Sequence, residues 1–307
     1  MSLFDREIDD SRGIVGDWES SGYSATDEEA HRDIVYKVPS SIAQTIYFFL
    51  NEFRLFKKEA GVYVTLVLAL LPMFMIIGVY ALNLPLPGTT MIGLSLFLAP
   101  FMVVLISSSA TGKQINHEIK SRSAYMSLSF PIKRASFTVG KFFAGYLVAL
   151  ALIMEAFVLA IVAGHFLLGG VDWDVMLSAM LCLAIGSFAI SATAYFLGTV
   201  FNHGSMAGLL VMFILLPFIL IGLGAAGNFS GNEILGSISP YLYLVPSCLP
   251  DLALQLFSYT GLSLTSMVGS LANIYGSVDY GLAMIVGVVW GFAFLILAVI
   301  RVNRKDL

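Results

Sequence analysis

Residues 142 to 165 read Phe142-Phe143-Ala144-Gly145-Tyr146-Leu147-Val148-Ala149-Leu150-Ala151-Leu152-Ile153-Met154-Glu155-Ala156-Phe157-Val158-Leu159-Ala160-Ile161-Val162-Ala163-Gly164-His165. Apart from Glu155 near its middle and His165 at its end, the run carries no Asp, Glu, Lys, Arg or His. At 1.5 Å per residue a helix of this length covers the roughly 30 Å of hydrocarbon in a bilayer. The apolar residues are continuous rather than alternating, which points to a helix and not to a barrel strand, and a helix satisfies its own backbone hydrogen bonds in lipid. Five further runs of the same kind lie at roughly 61–83, 91–111, 176–201, 205–225 and 280–300. The expected fold is therefore an all-α integral membrane protein with six transmembrane helices. Composition agrees: of 307 residues 58% are hydrophobic and only 12% charged, where a soluble domain carries about 25%. A water-soluble fold is excluded, because so few polar residues cannot coat a globule of this size. The two cysteines, Cys182 and Cys248, have no metal-binding spacing and form no disulfide framework.

Orientation follows from the basic residues. Of sixteen Lys and Arg, seven lie in the first 60 residues, six in 112–141 (Lys113, Lys120, Arg122, Lys133, Arg134, Lys141) and three in the tail (Arg301, Arg304, Lys305). The segments 84–90, 166–175 and 226–279 have none, although they hold Asp172, Asp174, Glu233, Asp251 and Asp279. The positive-inside rule places both termini and the 112–141 loop in the cytoplasm, as expected of a multi-pass plasma-membrane protein with an even number of spans.

Residues 1–38 form an acidic tail, with ten acids against three bases in the first 36 positions and no long apolar run. Such a stretch is expected to be a solvated, disordered cytoplasmic segment and not a secretory signal. Residues 39–60 open with Pro39-Ser40-Ser41, a helix start, and place Ile42, Ile46, Phe49, Leu50, Phe53 and Phe56 at helical spacing. Gln44, Asn51, Glu52, Lys57 and Lys58 fall on the other faces. The expectation is an amphipathic interfacial helix with its apolar stripe in the acyl boundary and its basic end among headgroups. The rest, 61–307, forms the six-helix domain. Its outer loop 226–279 contains apolar pieces such as Tyr241-Leu242-Tyr243-Leu244-Val245 that are too short to cross and are expected to lie on the outer leaflet.

The cytoplasmic loop 112–141 is the most informative connection. Ile115, Ile119, Tyr125, Met126 and Leu128 can form one side of a short helix that Pro131 ends. From Glu118 the chain passes through Ser129-Phe130-Pro131-Ile132-Lys133-Arg134 to Gly140-Lys141-Phe142. This run resembles the signature of type-2 ABC exporter permeases: a glutamate, about ten residues of short helix, a Ser-Leu-Pro-x-x-Arg sequence and a Gly-Lys opening the next span. The interfacial helix, the six spans, the long outer connection and the closing Arg304-Lys305-Asp306-Leu307 are similar to that family too, so the resemblance covers residues 39–307. It differs in having Arg122 where the family often has Gly and Lys133-Arg134 where it often has Ser-Arg. The resemblance implies that 113–131 is a coupling helix seated on a separate ATPase subunit, two copies per complex. It also implies a second permease protomer, the same chain or a homologous one. Glu118, Arg122, Pro131, Lys133 and Arg134 would carry the coupling. No Gly-x-x-x-x-Gly-Lys-Ser/Thr sequence is present, so nucleotide binding and ATP hydrolysis are expected on the other chain and no cofactor on this one. Nucleic acid is not an expected partner; membrane lipid is.

Among polar residues within the spans, Glu155 is the one carboxylate well inside. A charge at the bilayer centre costs at least about 2.5 kcal/mol on insertion scales. Two readings are open: it lines a cation or polar-substrate path, or it is a neutral acid bonded to Ser187, Ser191 or Thr193 of the fourth span. Ser107, Ser108, Ser109 and Thr111 make a polar patch at the inner end of the second span, suited either to close helix packing or to the mouth of a pathway. Pro72, Pro100 and Pro217 are expected to bend three spans. Gly204-x-x-x-Gly208 and Gly287-x-x-x-Gly291 have the small-residue spacing of helix contacts. Two other classes compete with the permease reading: an ion-gradient-driven secondary transporter using Glu155, and a non-transporting anchor or assembly subunit.

Overall fold

In the computed structural model, the residues described are 40–56, 63, 66–67, 70–82, 102–112, 133–168, 173–200, 249 and 280–304. All belong to one compact unit, Ser40–Leu307. The expectations for the tail 1–38, the coupling segment 113–131 with Glu118, Arg122 and Pro131, the fifth span 205–225, and nearly all of the outer loop 226–279 lie outside the described residues, as do Pro100, Pro217 and Gly204.

Every element among the described residues is helical. In chain order they are α1 (Ser41–Phe56), α2 (Leu71–Ala81), α3 (Met102–Gly112), α4 (Arg134–Leu168), α5 (Trp173–Val200) and α6 (Tyr280–Arg304). Three of them, α4, α5 and α6, are long and apolar enough to cross a membrane. They match the third, fourth and sixth expected spans. The described parts of the first and second, α2 and α3, are each too short to cross alone.

Two local expectations change. The third span does not begin after Lys141: the Phe137 amide donates to the Lys133 carbonyl, and the helix is under way from Arg134, so the last eight residues of the expected loop are helical. Nothing between Arg134 and Lys141 interrupts it, since the helix-breaking proline lies upstream at 131. At 35 residues α4 is about 52 Å long, well beyond the hydrocarbon thickness, so one or both of its ends must leave the hydrocarbon unless it is strongly tilted. For Pro72 what changes is its place, at the start of a helix that follows a turn at Leu70 and not inside an unbroken span. It falls in the first turn of α2, where the missing amide hydrogen is one that the helix would leave unbonded anyway.

The core has two parts. One gathers Phe56 of α1, Ile76 of α2, Val103, Val104 and Ile106 of α3, Leu152, Ile153 and Phe157 of α4, and Met176, Leu183 and Ile190 of α5. The other joins Phe142 of α4, Phe188 and Tyr195 of α5, and Leu295, Ala298 and Val302 of α6. Phe142 is its hub, meeting Phe188 at 5.9 Å and Tyr195 at 5.5 Å between ring centroids, both edge to face. Of the three long helices α5 is the most enclosed and α6 the least. Ile285, Val289, Phe292 and Ile296 leave an apolar face of α6 open, as a helix in contact with lipid requires.

The α5–α6 contact is the most extensive in the unit. It is made possible by the Gly287-x-x-x-Gly291 spacing. A β-carbon on Gly287 would lie 2.5 Å from Leu249 Cδ1 and 2.9 Å from Ile185 Cγ2; one on Gly291 would lie 2.4 Å from the Phe188 ring. The glycines let the two backbones approach, and Trp290 Nε1 donates to Thr193 Oγ1 at 3.1 Å beside them.

Candidate functional site

The best-defined polar geometry surrounds the first turns of α4, directly after the expected coupling segment. Here α1 meets α4 at a constant offset. The Lys133 amide donates to Gln44 Oε1 at 3.1 Å, the Phe48 and Phe137 rings meet edge to face at 5.1 Å, and Lys141 Nζ donates to Glu52 Oε2 at 3.0 Å. Successive partners are four residues on along both chains, so α1 and the start of α4 run side by side in the same direction over two turns. Gly140 allows the close approach: a β-carbon there would fall 2.6 Å from the Thr45 carbonyl oxygen.

This arrangement corrects the expectation for α1. Ile42, Ile46, Leu50 and Phe53 are exposed, as an apolar stripe directed at lipid would be, but Gln44 and Glu52 do not face water. They share the buried face with Phe48 and Phe56. An amide hydrogen bond and an ion pair replace the water they would otherwise need. Lys141 is likewise buried, with its ammonium 4.9 Å from the centre of the Phe137 ring. A pair so enclosed gains little net stability, because removing both charges from water offsets much of their attraction, yet losing either partner takes the ion-pair contact from the other.

Lys133 and Arg134, two of the expected coupling residues, are thus placed at a junction of helices. Lys133 is tied to α1 through its backbone, whereas Arg134 Nη1 donates to the Asn303 carbonyl at the end of α6, 3.3 Å away. One turn on, Tyr195 of α5 donates its hydroxyl to the Thr138 carbonyl at 2.9 Å, with no exposure of its own. The start of α4 is consequently held by α1, α5 and α6. The Glu52–Lys141 pair escaped sequence reasoning because its members lie 89 positions apart. The available signal was the recurrence of Gln44, Phe48, Glu52 and Phe56 every four residues, a second stripe masked by the more apolar one.

A second polar cluster joins α3 and α5. Thr111 Oγ1 reaches both its own helix, at the Ser107 carbonyl (2.7 Å), and α5, at the Ser191 carbonyl (3.1 Å). About two turns beyond Ser191, a β-carbon on Gly198 would lie 2.6 Å from the Gly112 carbonyl, so the two helices are in close contact here too. Ser107 and Ser108, the expected pathway residues, are both buried in this packing. Ser108 Oγ donates to the Leu105 carbonyl at 3.2 Å.

Glu155 is separate from both clusters. It is half-buried on α4 and makes no hydrogen bond or ion pair with any described residue. Of the three partners considered for it, Ser187 donates to the Ala184 carbonyl, Thr193 donates to the Ala189 carbonyl while accepting from Trp290, and the Ser191 hydroxyl makes no bond to Glu155. His165, near the end of α4, meets Phe166 and Trp173, the first residue of α5. Among the described residues no three His, Cys, Asp or Glu side chains gather into a metal-binding group.

Fold and composition together define a membrane protein whose described elements are all helical, three of them long and apolar enough to span. No protein-family model and no curated protein matches the chain.

Proposed function

We propose that this chain is the permease subunit of a type-2 ABC exporter, coupled to a separate ATPase subunit and paired with a second permease protomer in the plasma membrane, both termini cytoplasmic. The observation that carries the reading is the run from Glu118 to Lys141. Its residues match the coupling signature, and its last turns form the start of α4, where α1, α5 and α6 converge. A push on segment 113–131 would reach three other helices through that junction. Glu118, Arg122, Pro131, Lys133 and Arg134 transmit the push, and Glu155, Ser107 and Ser108 belong to the substrate path.

The test is a Glu118→Ala/Arg122→Ala double variant reconstituted with its ATPase in proteoliposomes. Membrane insertion is expected to be unchanged and ATP-dependent export to fall at least tenfold. Undiminished export would overturn the coupling assignment.

One observation favours a second reading. A mid-span carboxylate without a partner is a usual cation or proton site, and Glu155 makes no bond among the described residues. In that reading the chain is an ion-gradient-driven transporter. Transport by the chain alone under an imposed gradient, lost in Glu155→Gln, would support it over the ATP-driven one.

A further inference from the structure

The hydroxyls carried by α3 and α5 are nearly all bonded to backbone carbonyls. Ser108 donates to Leu105, Ser109 to Ile106, Thr111 shares its one proton between Ser107 and Ser191, Ser187 donates to Ala184, Thr193 to Ala189 and Thr199 to Phe196. Two hydroxyls depart from the pattern. Ser107 Oγ and Ser191 Oγ are sealed from solvent and have no hydrogen-bond partner among the described residues. Both residues have zero relative exposure. They also belong to one place: the Thr111 hydroxyl bonds to the carbonyls of these same two residues. Unbonded hydroxyls inside a membrane protein have no water to turn to in the surrounding lipid, so a ligand of matching chemistry is favoured strongly.

We propose that the α3–α5 crossing is a binding site for an internal water molecule that bridges Ser107 Oγ and Ser191 Oγ. A buried water needs two to four polar partners. The two hydroxyls supply that minimum of two, each able to donate or accept, since the Ser107 and Ser191 carbonyls are already engaged by their own helices and by Thr111. The hydrogen-bonded members of the cluster are hydroxyls and carbonyls, all uncharged, which suits a small neutral donor–acceptor rather than an ion. The site lies one turn or so before α3 ends at Gly112, so the hydrated joint connects α5 to the helix that leads into segment 113–131. It does not depend on the transport reading.

Thermal unfolding of the detergent-solubilised chain tests the proposal. With a bridging water, Ser107→Ala and Ser191→Ala each lower Tm by about 2–4 °C. The double variant then melts with the weaker single variant, because losing either hydroxyl releases the same water. Tm unchanged or raised in both single variants, or additive losses in the double, would overturn the site. Should a variant fail to accumulate, a high-resolution map of the unaltered protein in lipid nanodiscs decides. A density peak about 2.8 Å from both hydroxyl oxygens supports the water, and direct side-chain packing without one overturns it.

Discussion

Glu52 and Lys141 show how much depends on single residues here. Their carboxylate and ammonium are 3.0 Å apart, and both side chains are largely enclosed. Removing one charge takes the 3.0 Å ion-pair contact from the other while that one stays buried, a loss of about 3 kcal/mol, whereas replacing both by apolar residues of similar volume is close to neutral. Lys141→Met and Glu52→Leu are therefore each expected to lower Tm by several degrees and the double variant to recover most of the loss, measured as a thermal double-variant cycle. Equal and additive losses would mean that the pair is not energetically coupled. Glycines give a second contrast. A β-carbon on Gly140 would collide with the Thr45 backbone oxygen, while one on Gly78 of α2 meets nothing within 4 Å. Gly140→Ala should destabilise by about 1–3 kcal/mol through overpacking, and Gly78→Ala should stabilise by about 0.5–1 kcal/mol through reduced backbone freedom in the unfolded chain. Opposite shifts of Tm check both.

For the helices as elements, the decisive question is which face each one hides. The apolar stripe of α1 was legible from Ile42, Ile46, Leu50 and Phe53, and those residues are left exposed by the rest of the unit. Its second, mixed stripe was not legible, because a glutamate and a glutamine at i and i+8 read as solvent-facing until a lysine and a free amide are found opposite them. On α6 the glycine spacing did announce the contact face. The two glycines are not equivalent, however. A β-carbon on Gly287 meets first the end of the Leu249 side chain, which can turn aside, while one on Gly291 meets a Phe188 ring held among Phe142, Tyr146 and Phe292. Gly291→Ala is thus expected to lower Tm by more than Gly287→Ala does. Equal losses would show that the Phe188 ring moves as freely as the leucine.

On the scale of the whole molecule, Gln44 of α1, Lys133 and Arg134 at the start of α4, and Asn303 near the end of α6 come together at one end of the bundle. The described basic residues Lys133, Arg134, Arg301 and Arg304 lie on segments that meet there. Were all sixteen bases on one side of the membrane, as the positive-inside rule requires, this end would face the cytoplasm. A Ser123→Cys substitution in a Cys182→Ala/Cys248→Ala background should then react with an impermeant maleimide only after the cells are permeabilised. Labelling of intact cells would invert the topology and remove the coupling mechanism with it.

The amino-acid sequence determined by itself that the protein is helical and belongs in a membrane, because transfer of an apolar run into lipid and backbone satisfaction by a helix are both local, depending on some twenty consecutive residues and nothing else. It also determined that α4, α5 and α6 exist, though not that α4 starts as early as Arg134, and that Gly287 and Gly291 mark a contact. Tertiary structure alone decided that Glu52 meets Lys141, that Tyr195 caps a carbonyl on α4, and that Ser107 and Ser191 are shut in together without partners. Those outcomes join residues far apart in the chain. They depend on distances of about 3 Å, which only the packing of whole helices, with glycine where backbones must touch, can set.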